Sequence, residues 1–370
     1  MAMKKTASKT LDLLRAIRHG GPAFCSVAVT NACNAACDFC NFARGKVGVS
    51  NLRWINTDLF DRALAILYKR DIRYISFFGG ETLLHPRLGE MIEMVVSMGM
   101  GPAVITNGWL LPMKLDELAA AGLRTVYISI DAARMTDHED NRGLQGLGER
   151  IRSATSRMPS LGMIPLAQVT MSKLIDNYRG LVPLLRDLGF EAVAFSYPQM
   201  KKLGSSSLAW SADSHLVNFS DSELVAAFDA VDDLRNIFRV NNPRASVRDM
   251  KRHLRGEVER FDCYGGYKSF YMDWNYQMWR CEAWDKPMCS VWEFADVPFI
   301  RDGCTACIAD CYRDSSVMLH FTVSLGDTLD RLKQGRVLSA LKALLDSRNA
   351  TSFGAVIENA HILSRLAKLG

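Results

Sequence analysis

The chain has 370 residues, of which 48% are hydrophobic and 23% are charged. That balance is typical of globular proteins and excludes collagen, coiled coil and low-complexity disorder. The length predicts two domains, or one barrel of about 200–250 residues with an appendage. The net charge of +5 is concentrated in two segments: residues 1–20 carry five Lys or Arg against one Asp, and residues 235–260 carry eight against three Asp or Glu.

Each basic segment has two interpretations. It forms the solvated face of a helix, or it meets an anionic substrate, a lipid headgroup or an acidic partner. Residues 1–20 are also amphipathic, which makes a peripheral contact with a membrane surface one of the expectations. Nucleic acid is not expected as a partner, because neither segment interleaves aromatic with basic residues.

No membrane-spanning or secretory segment is predicted. The longest run without charge, residues 94–113, is interrupted by three glycines and two prolines. Residues 1–20 lack an apolar core ahead of a small-residue cleavage site. We therefore expect a cytoplasmic protein.

Residues 24–196 alternate predicted strands and helices. Short β-branched or aromatic runs predict six strands, at 24–30, 73–78, 102–106, 125–130, 166–171 and 191–196. Helical periodicity occurs near 57–70, 86–99, 113–121, 144–158, 177–188 and 221–238. Six βα units at this spacing predict an α/β fold with a parallel sheet and right-handed crossovers.

The rest of the chain is less regular. A Ser- and Gly-rich stretch at 198–220 predicts a long loop, and a tail of one or two helices is expected at roughly 328–368. The predicted units are a basic amphipathic N-terminal helix, a partial barrel, a basic linker or helix, a small Cys-rich domain and a helical tail. Their boundaries are 1–23, 24–240, 241–260, 261–315 and 316–370.

The ten cysteines fall into two main groups. Three lie within eight residues, and six lie within 263–311, with 222 intervening residues that contain none. Disulfides are not expected in a chain without a secretory signal that is long enough to build a core. The spacing instead predicts two soft-metal sites. Cys25 and Cys289 are interpreted as small buried hydrophobes or spare thiols.

The first group, Cys33-x3-Cys37-x2-Cys40, follows directly on the first predicted strand. In a parallel barrel, the loops at the carboxyl ends of the strands carry the chemistry. Three thiolates can hold three corners of a cubane cluster and leave one iron open to a ligand. A zinc site would prefer a fourth Cys or His nearby, and this loop contains none.

The run CNAACDFC at 33–40 resembles the C-x3-C-x-Φ-C signature of radical S-adenosylmethionine (SAM) enzymes. The resemblance implies a [4Fe–4S] cluster whose open iron binds the amino and carboxylate groups of SAM, with Phe39 near the adenine. Reduction of the cluster would cleave SAM to methionine and a 5′-deoxyadenosyl radical, which takes a hydrogen atom from an unactivated C–H bond. It also implies a reductant of the flavodoxin or ferredoxin type.

Residues 79–82, at the end of the second predicted strand, match the family's GGE motif. Gly79 and Gly80 would let the backbone approach a ligand closely, and Glu81 would accept from the SAM ammonium. Thr82 completes the segment. A plain turn is the alternative interpretation of the same residues.

Short polar side chains follow the next predicted strands. They are Thr106, Asn107, Ser129 and Asp131. Loop capping is their alternative role. The resemblance makes Ser129 and Arg142 ligands of the SAM carboxylate and Thr170 a ribose ligand, whereas Asp131 could contact SAM or substrate.

In the second group, Cys263-x17-Cys281 brackets a predicted hairpin and Cys304-x2-Cys307-x3-Cys311 follows. A zinc knuckle is one interpretation. After such a core, the segment resembles the twitch or SPASM auxiliary-cluster domain, although Asn275 stands near where that pattern has glycine. Asn tolerates positive φ, so the turn is expected to survive. The resemblance implies one auxiliary [4Fe–4S] cluster on Cys263, Cys281, Cys304 and Cys307, with Cys311 as the rival fourth ligand.

These features together predict a radical SAM oxidoreductase on a partial (β/α)6 TIM barrel, acting on a small molecule such as a sugar or aminocyclitol. The auxiliary cluster would accept or relay an electron. Alternatives are a peptide maturase, a lipid- or isoprenoid-modifying enzyme and, in a different class, a non-catalytic iron–sulfur carrier or zinc protein. Side chains that could lie near the substrate are Tyr197, Tyr264, Tyr267 and Asp273, with core packing the alternative for the tyrosines.

Overall fold

A computed structural model describes residues 18–198 and 214–360 of the protein. The predicted N-terminal helix therefore lies almost wholly outside the described residues, and so does its expected contact with a membrane surface. Most of the predicted loop at 198–220 and the last ten residues of the tail also lie outside them.

Ten strands form one sheet. They are β1 (Ala23–Thr30), β2 (Ile72–Gly79), β3 (Gly101–Thr106), β4 (Thr125–Ile130), β5 (Ile164–Thr170), β6 (Ala192–Ser196), β7 (Arg239–Val240), β8 (Ser269–Met272), β9 (Gln277–Trp279) and β10 (Cys289–Ser290). Their order is β10-β9-β8-β1-β2-β3-β4-β5-β6-β7. All pairs from β8 through β1 to β7 are parallel, and β9 and β10 are antiparallel additions. The six predicted strands are present, and the order is open, as in a partial barrel.

The described helices are α1 (Phe60–Lys69), α2 (Leu88–Ser97), α3 (Leu111–Ala120), α4 (Met135–Arg142), α5 (Leu147–Arg157), α6 (Leu181–Asp187), α7 (Asp221–Leu234), α8 (Arg244–Leu254), α9 (Asp310–Lys333), α10 (Val337–Leu344) and α11 (Ser347–Glu358). Helix α4 was not predicted, because its sequence MTDHEDNR has no apolar stripe. It ends at Gly143, which adopts the left-handed conformation at φ 58°.

Apolar side chains on both faces of the strands form the main core. On β1, for example, Val27, Ala28 and Val29 are fully buried. Helices α1, α2 and α3 contribute residues such as Leu64 and Ile92 from the outside. A parallel sheet covered in this way explains why the strands are nearly continuous apolar runs.

The tail differs from the prediction of one or two helices. Three helices are described, and the first, α9, begins at residue 310 rather than near 328. Its first turns belong to the Cys-rich region, since Tyr312 packs with Cys263 and Cys281. Helix α9 therefore crosses the boundary expected between residues 315 and 316.

Much of the charge in the basic segment at 235–260 is paired. Lys251 lies 2.9 Å from Asp229 and 2.8 Å from Asp232, and Arg252 lies 2.8 Å from Asp249. These contacts agree with its interpretation as a helix face. Within 18–198 and 214–360, no helix combines the length and apolarity that crossing a membrane requires.

Candidate active site

The first cysteine group lies on the loop after β1, at the carboxyl edge of the sheet. Cys37 is buried, Cys33 and Cys40 are half-buried, and all three are free thiols. The Ala35 N–H points at Cys33 Sγ at 3.4 Å, and the Ala36 N–H donates to the Arg142 carbonyl at 2.8 Å. The loop is thus held against the end of α4.

Burial raises the pKa of the Cys33 and Cys37 thiols to about 12 and that of Cys40 to about 11. The Arg142 guanidinium acts in the opposite direction on all three, which places its charge near each thiol. Metal binding requires thiolates. Loading a cluster here would therefore release three protons into solvent, with Arg142 favouring the anionic ligands.

Gly79 and Gly80 pack against the backbone of this cysteine loop. A Cβ at Gly79 would lie 2.2 Å from the Thr30 carbonyl oxygen, and one at Gly80 would lie 2.2 Å from that of Ala32. The N–H groups of Gly80 and Glu81 donate to these same carbonyls at 2.7 Å. The structure therefore shows a second reason why glycine is needed at both positions, beyond the expected approach of a ligand. Only a residue without a side chain lets the end of β2 pack against the cysteine loop.

Glu81 is fully buried and joins three parts of the sheet edge. Its Oε1 accepts from the Leu83 N–H at 3.0 Å and the Thr106 hydroxyl at 2.6 Å, and its Oε2 accepts from the Asn107 N–H at 2.7 Å. Burial raises the Glu81 pKa, while these donors favour the carboxylate. The Asn107 side chain then donates to Asn34 of the cysteine loop at 2.8 Å. The predicted contact of Glu81 with SAM stays a prediction.

Asp131 and Arg142 form a buried ion pair. Asp131 Oδ1 accepts from Arg142 Nη2 at 2.6 Å, and its Oδ2 accepts from Asn141 at 2.9 Å. Burial alone would raise the pKa of Asp131, but the neighbouring charges and the hydrogen bonds from Arg142 and Asn141 together lower it. Arg142 Nε is buried and has no partner among the described residues. This remaining donor can bind an anionic group beside the three thiols.

His138 was missed by the sequence analysis, although it contacts the same ion pair. It is fully buried, and its Nδ1 accepts from the Asp131 N–H at 3.1 Å. Burial lowers its pKa to about 4, so the ring is neutral near pH 7. His138 and Arg142 stand four residues apart and share one face of α4. The spacing of four residues could have indicated that His138 and Arg142 lie together, but only if the helix had been predicted.

The other predicted SAM contacts lie near the same edge. The Ser129 hydroxyl donates to the Thr106 carbonyl at 3.2 Å, and Thr170 ends β5. Phe39 is buried with 7% exposure. The buried Thr82 hydroxyl has no partner in the described part of the chain. Their predicted roles stay predictions.

The second cysteine group gathers around one apolar cluster. Cys263 and Cys281 are buried with Ala309 and Tyr312, and Cys304 and Cys307 pack against them together with Trp284. The Cys263 N–H donates to the Cys304 carbonyl at 2.8 Å. Cys311 is exposed in the first turn of α9 and stays the rival fourth ligand.

The hairpin between Cys263 and Cys281 is confirmed as β8 and β9. Positive φ occurs at Tyr276 (62°) and not at Asn275, where the turn was expected to need it. Asp273 stabilises this turn, since its carboxylate accepts from the Asn275 N–H at 2.8 Å, the Gln277 N–H at 3.0 Å and the Trp279 indole at 2.9 Å. The Asp273 side chain is thus occupied by the hairpin itself.

The three tyrosines pack in the interior. Tyr197 meets Phe228 edge-on at 4.8 Å between ring centroids, and the Tyr264 hydroxyl lies 2.9 Å from His320 Nδ1. Tyr267 meets Phe299 edge-on at 5.5 Å. These contacts match the core-packing alternative. The two spare thiols are also internal: Cys25 is buried on β1 and Cys289 is half-buried on β10.

Both cysteine groups have donor sets that fit iron–sulfur clusters. Among residues 18–198 and 214–360, no three His, Cys, Asp or Glu side chains converge as ligands of a single metal ion. The thiolates of a cubane bind separate irons and need not converge on one point. The first group offers three free thiols near Arg142, whose Nε has no partner among the described residues, and the second offers Cys263, Cys281, Cys304 and Cys307 around an apolar centre.

Comparison with known proteins agrees with this site. Residues 27–174 match the family model of the radical SAM superfamily. GTP 3′,8-cyclase of Chlorobaculum tepidum is 36% identical over 107 residues, which cover 28% of this chain and 32% of that protein. The subtilosin biosynthesis protein AlbA of Bacillus subtilis is 23% identical over 186 residues, which cover 50% of this chain and 40% of AlbA. These matches span less than half of the relatives' own lengths.

Solved structures share the fold. Streptococcus suis SuiB bound to S-adenosylmethionine superposes with a TM-score of 0.54 at 13% identity, covering 80% of this chain and 72% of SuiB. The structure of anSMEcpe with bound AdoMet gives 0.52 at 12% identity, covering 84% of this chain and 99% of anSMEcpe. At such identities the likeness concerns the fold alone, and it confirms the partial barrel. Residues 27–174 of the chain are thus similar to the radical SAM superfamily, as the spacing of Cys33, Cys37 and Cys40 led us to expect.

Proposed function

We propose that this protein is a radical SAM enzyme whose catalytic cluster is held by Cys33, Cys37 and Cys40. One observation carries the proposal: three free thiols follow β1 on a loop whose Ala36 N–H donates to the Arg142 carbonyl, and the buried Arg142 Nε is unpartnered among the described residues. When bound, the cluster and SAM would supply a 5′-deoxyadenosyl radical that takes a hydrogen atom from a substrate C–H bond.

The surrounding residues bind and orient. Arg142 would hold the SAM carboxylate with the donors that Asp131 leaves free, and Ser129 would assist. Glu81 orients the cysteine loop through Asn107. The Glu81 carboxylate accepts from the Asn107 backbone N–H, and the Asn107 side-chain amide donates to Asn34 of that loop. Phe39, Thr106 and Thr170 would line the adenosine side. Burial of this edge excludes water, and a carbon radical requires that exclusion.

A second, auxiliary [4Fe–4S] cluster on Cys263, Cys281, Cys304 and Cys307 belongs to the same proposal. These four thiols share one apolar cluster, and Cys311, exposed in the first turn of α9, is the rival fourth ligand. Four protein ligands leave no open iron, so the cluster would transfer electrons instead of binding substrate. Accepting an electron from the substrate radical would make the reaction oxidative, of the dehydrogenase type.

The proposed substrate is a small organic molecule. Support comes from the match to GTP 3′,8-cyclase, which by its name acts on a nucleotide. A peptide substrate is the second candidate, favoured by the match to a bacteriocin biosynthesis protein that spans half of this chain. The proposal of a lipid or isoprenoid substrate depends on the basic, amphipathic sequence of residues 1–20, nearly all of which lie outside the described residues.

We also place the protein in the cytoplasm with a flavodoxin- or ferredoxin-type reductant. None of the ten cysteines is joined in a disulfide. Thiols that must stay reduced to bind iron suit that compartment.

The decisive experiment is SAM cleavage by anaerobically reconstituted, reduced protein. We expect 5′-deoxyadenosine from the wild type and none from the C33A/C37A/C40A variant, which should keep the iron of the second group. Iron should fall from about eight to about four per chain, the content of one cubane. Wild-type protein that holds both clusters and forms no 5′-deoxyadenosine with several reductants would overturn the proposal in favour of an electron carrier.

A substrate is then identified by deuterium transfer into 5′-deoxyadenosine. Candidate deuterated pools of small metabolites and of peptides are compared in parallel. Label from the peptide pool alone would replace the small-molecule proposal with the second candidate.

A further inference from the structure

The surfaces next to the two cysteine groups carry opposite charge. Residues 41–54, here called the basic loop, follow Cys40 directly and contain Arg44, Lys46 and Arg53 with no Asp or Glu. All three basic residues are exposed. Two apolar side chains accompany them at the surface, Val49 with 86% and Trp54 with 41% exposure.

The surroundings of the second group are acidic. Residues 282–309, here called the acidic segment, contain five Asp or Glu against two Lys or Arg. Asp285, Glu293, Asp296 and Asp302 are exposed. Asp302 is paired with Arg280, and Arg301 is paired with Asp327 of α9. The acidic segment therefore presents an excess of negative charge.

Charge on the basic loop is not neutralised by ion pairs. In the described part of the chain, no carboxylate lies within 4 Å of its three cations. The Arg53 guanidinium donates to the carbonyls of Ser50 and Leu52. Two acidic residues flank the basic loop in sequence: Asp38 accepts from the Ser214 hydroxyl, and Asp58, just before α1, pairs with Arg87 at 2.5 Å.

The basic loop is also fastened to the cysteine loop. The Asn31 side chain donates to the Asn51 carbonyl at 3.0 Å and accepts from the Arg53 N–H at 2.7 Å. Lys46 Nζ donates to the Asp38 carbonyl at 2.5 Å. A partner bound to the basic loop is therefore held at a defined position beside the three cysteines.

We propose that the basic loop is the docking surface for an acidic one-electron carrier protein of the flavodoxin class. The inference rests on the proposed function, because it presumes a cluster on Cys33, Cys37 and Cys40. In the transfer, the reduced carrier loses one electron and the oxidised cluster gains it. Electrons enter there directly, because an acidic carrier is attracted to the basic loop and repelled by the acidic segment.

The size and character of this surface suit a transient complex. Electron-transfer encounters bury small interfaces and depend on charge for their association rate. A few cations around exposed apolar contacts such as Val49 meet that description. Steering of this kind weakens as salt shortens the range of electrostatic interactions.

The test compares two reductants on two charge-reversed variants. In the first variant Arg44 and Arg53 become Glu, while Lys46 stays because it holds the Asp38 carbonyl. The matched control changes Arg239 and Arg248 to Glu; both are exposed, carry no ion pair in the described structure, and lie on β7 and α8. The rate of 5′-deoxyadenosine formation is measured with dithionite and with a bacterial flavodoxin reduced by its NADPH-dependent reductase.

With flavodoxin at low salt, we expect the R44E/R53E variant to be about tenfold slower than wild type, the scale of lost electrostatic steering. Its dithionite rate and the rates of the control variant should match wild type. The wild-type flavodoxin rate should also fall between about 0.05 M and about 0.5 M salt.

Three outcomes would overturn the docking surface: an R44E/R53E rate with flavodoxin equal to wild type, an equal loss in the control variant, or a wild-type rate that ignores salt. Absence of product from the wild type with dithionite has a different meaning. It would contradict the proposed function itself, so the two failures are distinguishable.

Discussion

Each buried charge at the sheet edge has a partner that justifies its burial. An ion removed from water is costly unless another ion or several hydrogen bonds compensate it. Asp131 has Arg142 and Asn141, and Glu81 has three donors. Of these three charged residues, Arg142 keeps one buried donor, its Nε, without a partner in the described chain. Because this donor is unpartnered, Arg142 can still bind an anion.

Buried His138 should make stability depend on pH. Its pKa is about 4 in the folded protein and about 6.5 in an unfolded chain, so between these values only the unfolded state binds the proton. Stability from this residue is therefore present above pH 6.5 and lost as the pH falls towards 4. At about 1.4 kcal/mol per pKa unit, the loss is at most about 3.5 kcal/mol.

The H138N variant isolates this effect, because the Asn oxygen can accept the Asp131 N–H but does not titrate. Melting temperatures are compared at about pH 7.5 and about pH 5. We expect the drop on acidification to be smaller in H138N than in wild type. Equal drops in both proteins would contradict a neutral buried His138.

At the scale of elements, the active-site edge depends on how closely β2 approaches the cysteine loop. Gly79 and Gly80 meet the loop carbonyls at distances that exclude a Cβ. Glu81 then locks the end of β2 to the end of β3. The cysteine loop is thereby supported from one side by β2 and from the other by α4, through the Ala36 to Arg142 hydrogen bond.

Substitution of Gly80 by Ala should damage this junction. Its Cβ would lie 2.2 Å from the Ala32 carbonyl oxygen, so backbone must shift, at a cost of about 1–3 kcal/mol. The control is G354A in α11, where no atom lies within 4 Å and the change should stabilise by up to about 1 kcal/mol.

Both glycine variants are followed by thermal unfolding and by iron retained per chain. We expect G80A to melt earlier and to lose iron from the first cysteine group, and G354A to do neither. Wild-type stability and iron content in G80A would show that β2 does not support the loop in this way.

For the molecule as a whole, the Cys-rich region is an extension of the barrel sheet. Strand β8 pairs in parallel with β1 over Phe24–Val27, so the second cysteine group is attached beside the strand that carries the first. Arg70 at the end of α1 reinforces this junction. Its guanidinium donates to the carbonyls of Ala295 (3.1 Å) and Val297 (2.6 Å) and lies 3.7 Å from the Phe299 ring centroid.

Replacing Arg70 with Ala should loosen residues 282–309 while leaving the first cysteine group intact. Charged hydrogen bonds of this kind contribute about 1.5–3 kcal/mol each. Arg124→Ala is the matched control, since Arg124 also donates to two carbonyls, those of Ala119 and Leu123, but within the barrel.

Limited proteolysis and iron content distinguish the two arginine variants. In R70A we expect faster cleavage within 282–309 and loss of iron from the second group, with SAM cleavage under dithionite retained. Identical cleavage patterns in R70A, R124A and wild type would mean that Arg70 does not hold the junction.

The six βα units and the two cysteine groups were readable from the sequence alone. Their signals are local: buried parallel strands are continuous apolar runs, and ligands on one loop have a fixed spacing. Helix α4 and the turn at Tyr276 were not predicted correctly. Helix α4 buries only His138 and Arg142, so it has no apolar stripe. Positive φ at a tyrosine depends on the contacts that hold it, such as its hydroxyl donating to the Asn56 carbonyl at 2.5 Å.

The sequence by itself determined the parallel α/β barrel, the placement of three thiols after β1 and the pairing of cysteines around a hairpin. Only the tertiary structure decided that β8 joins β1, that Arg142 and His138 meet Asp131 beneath the cysteine loop, and that Cys263, Cys281, Cys304 and Cys307 share one apolar cluster. The physical reason is the distance along the chain over which each kind of interaction acts. Periodicity and spacing act over a few residues, whereas strand pairing and buried ion pairs depend on contacts that the folded chain makes between distant segments.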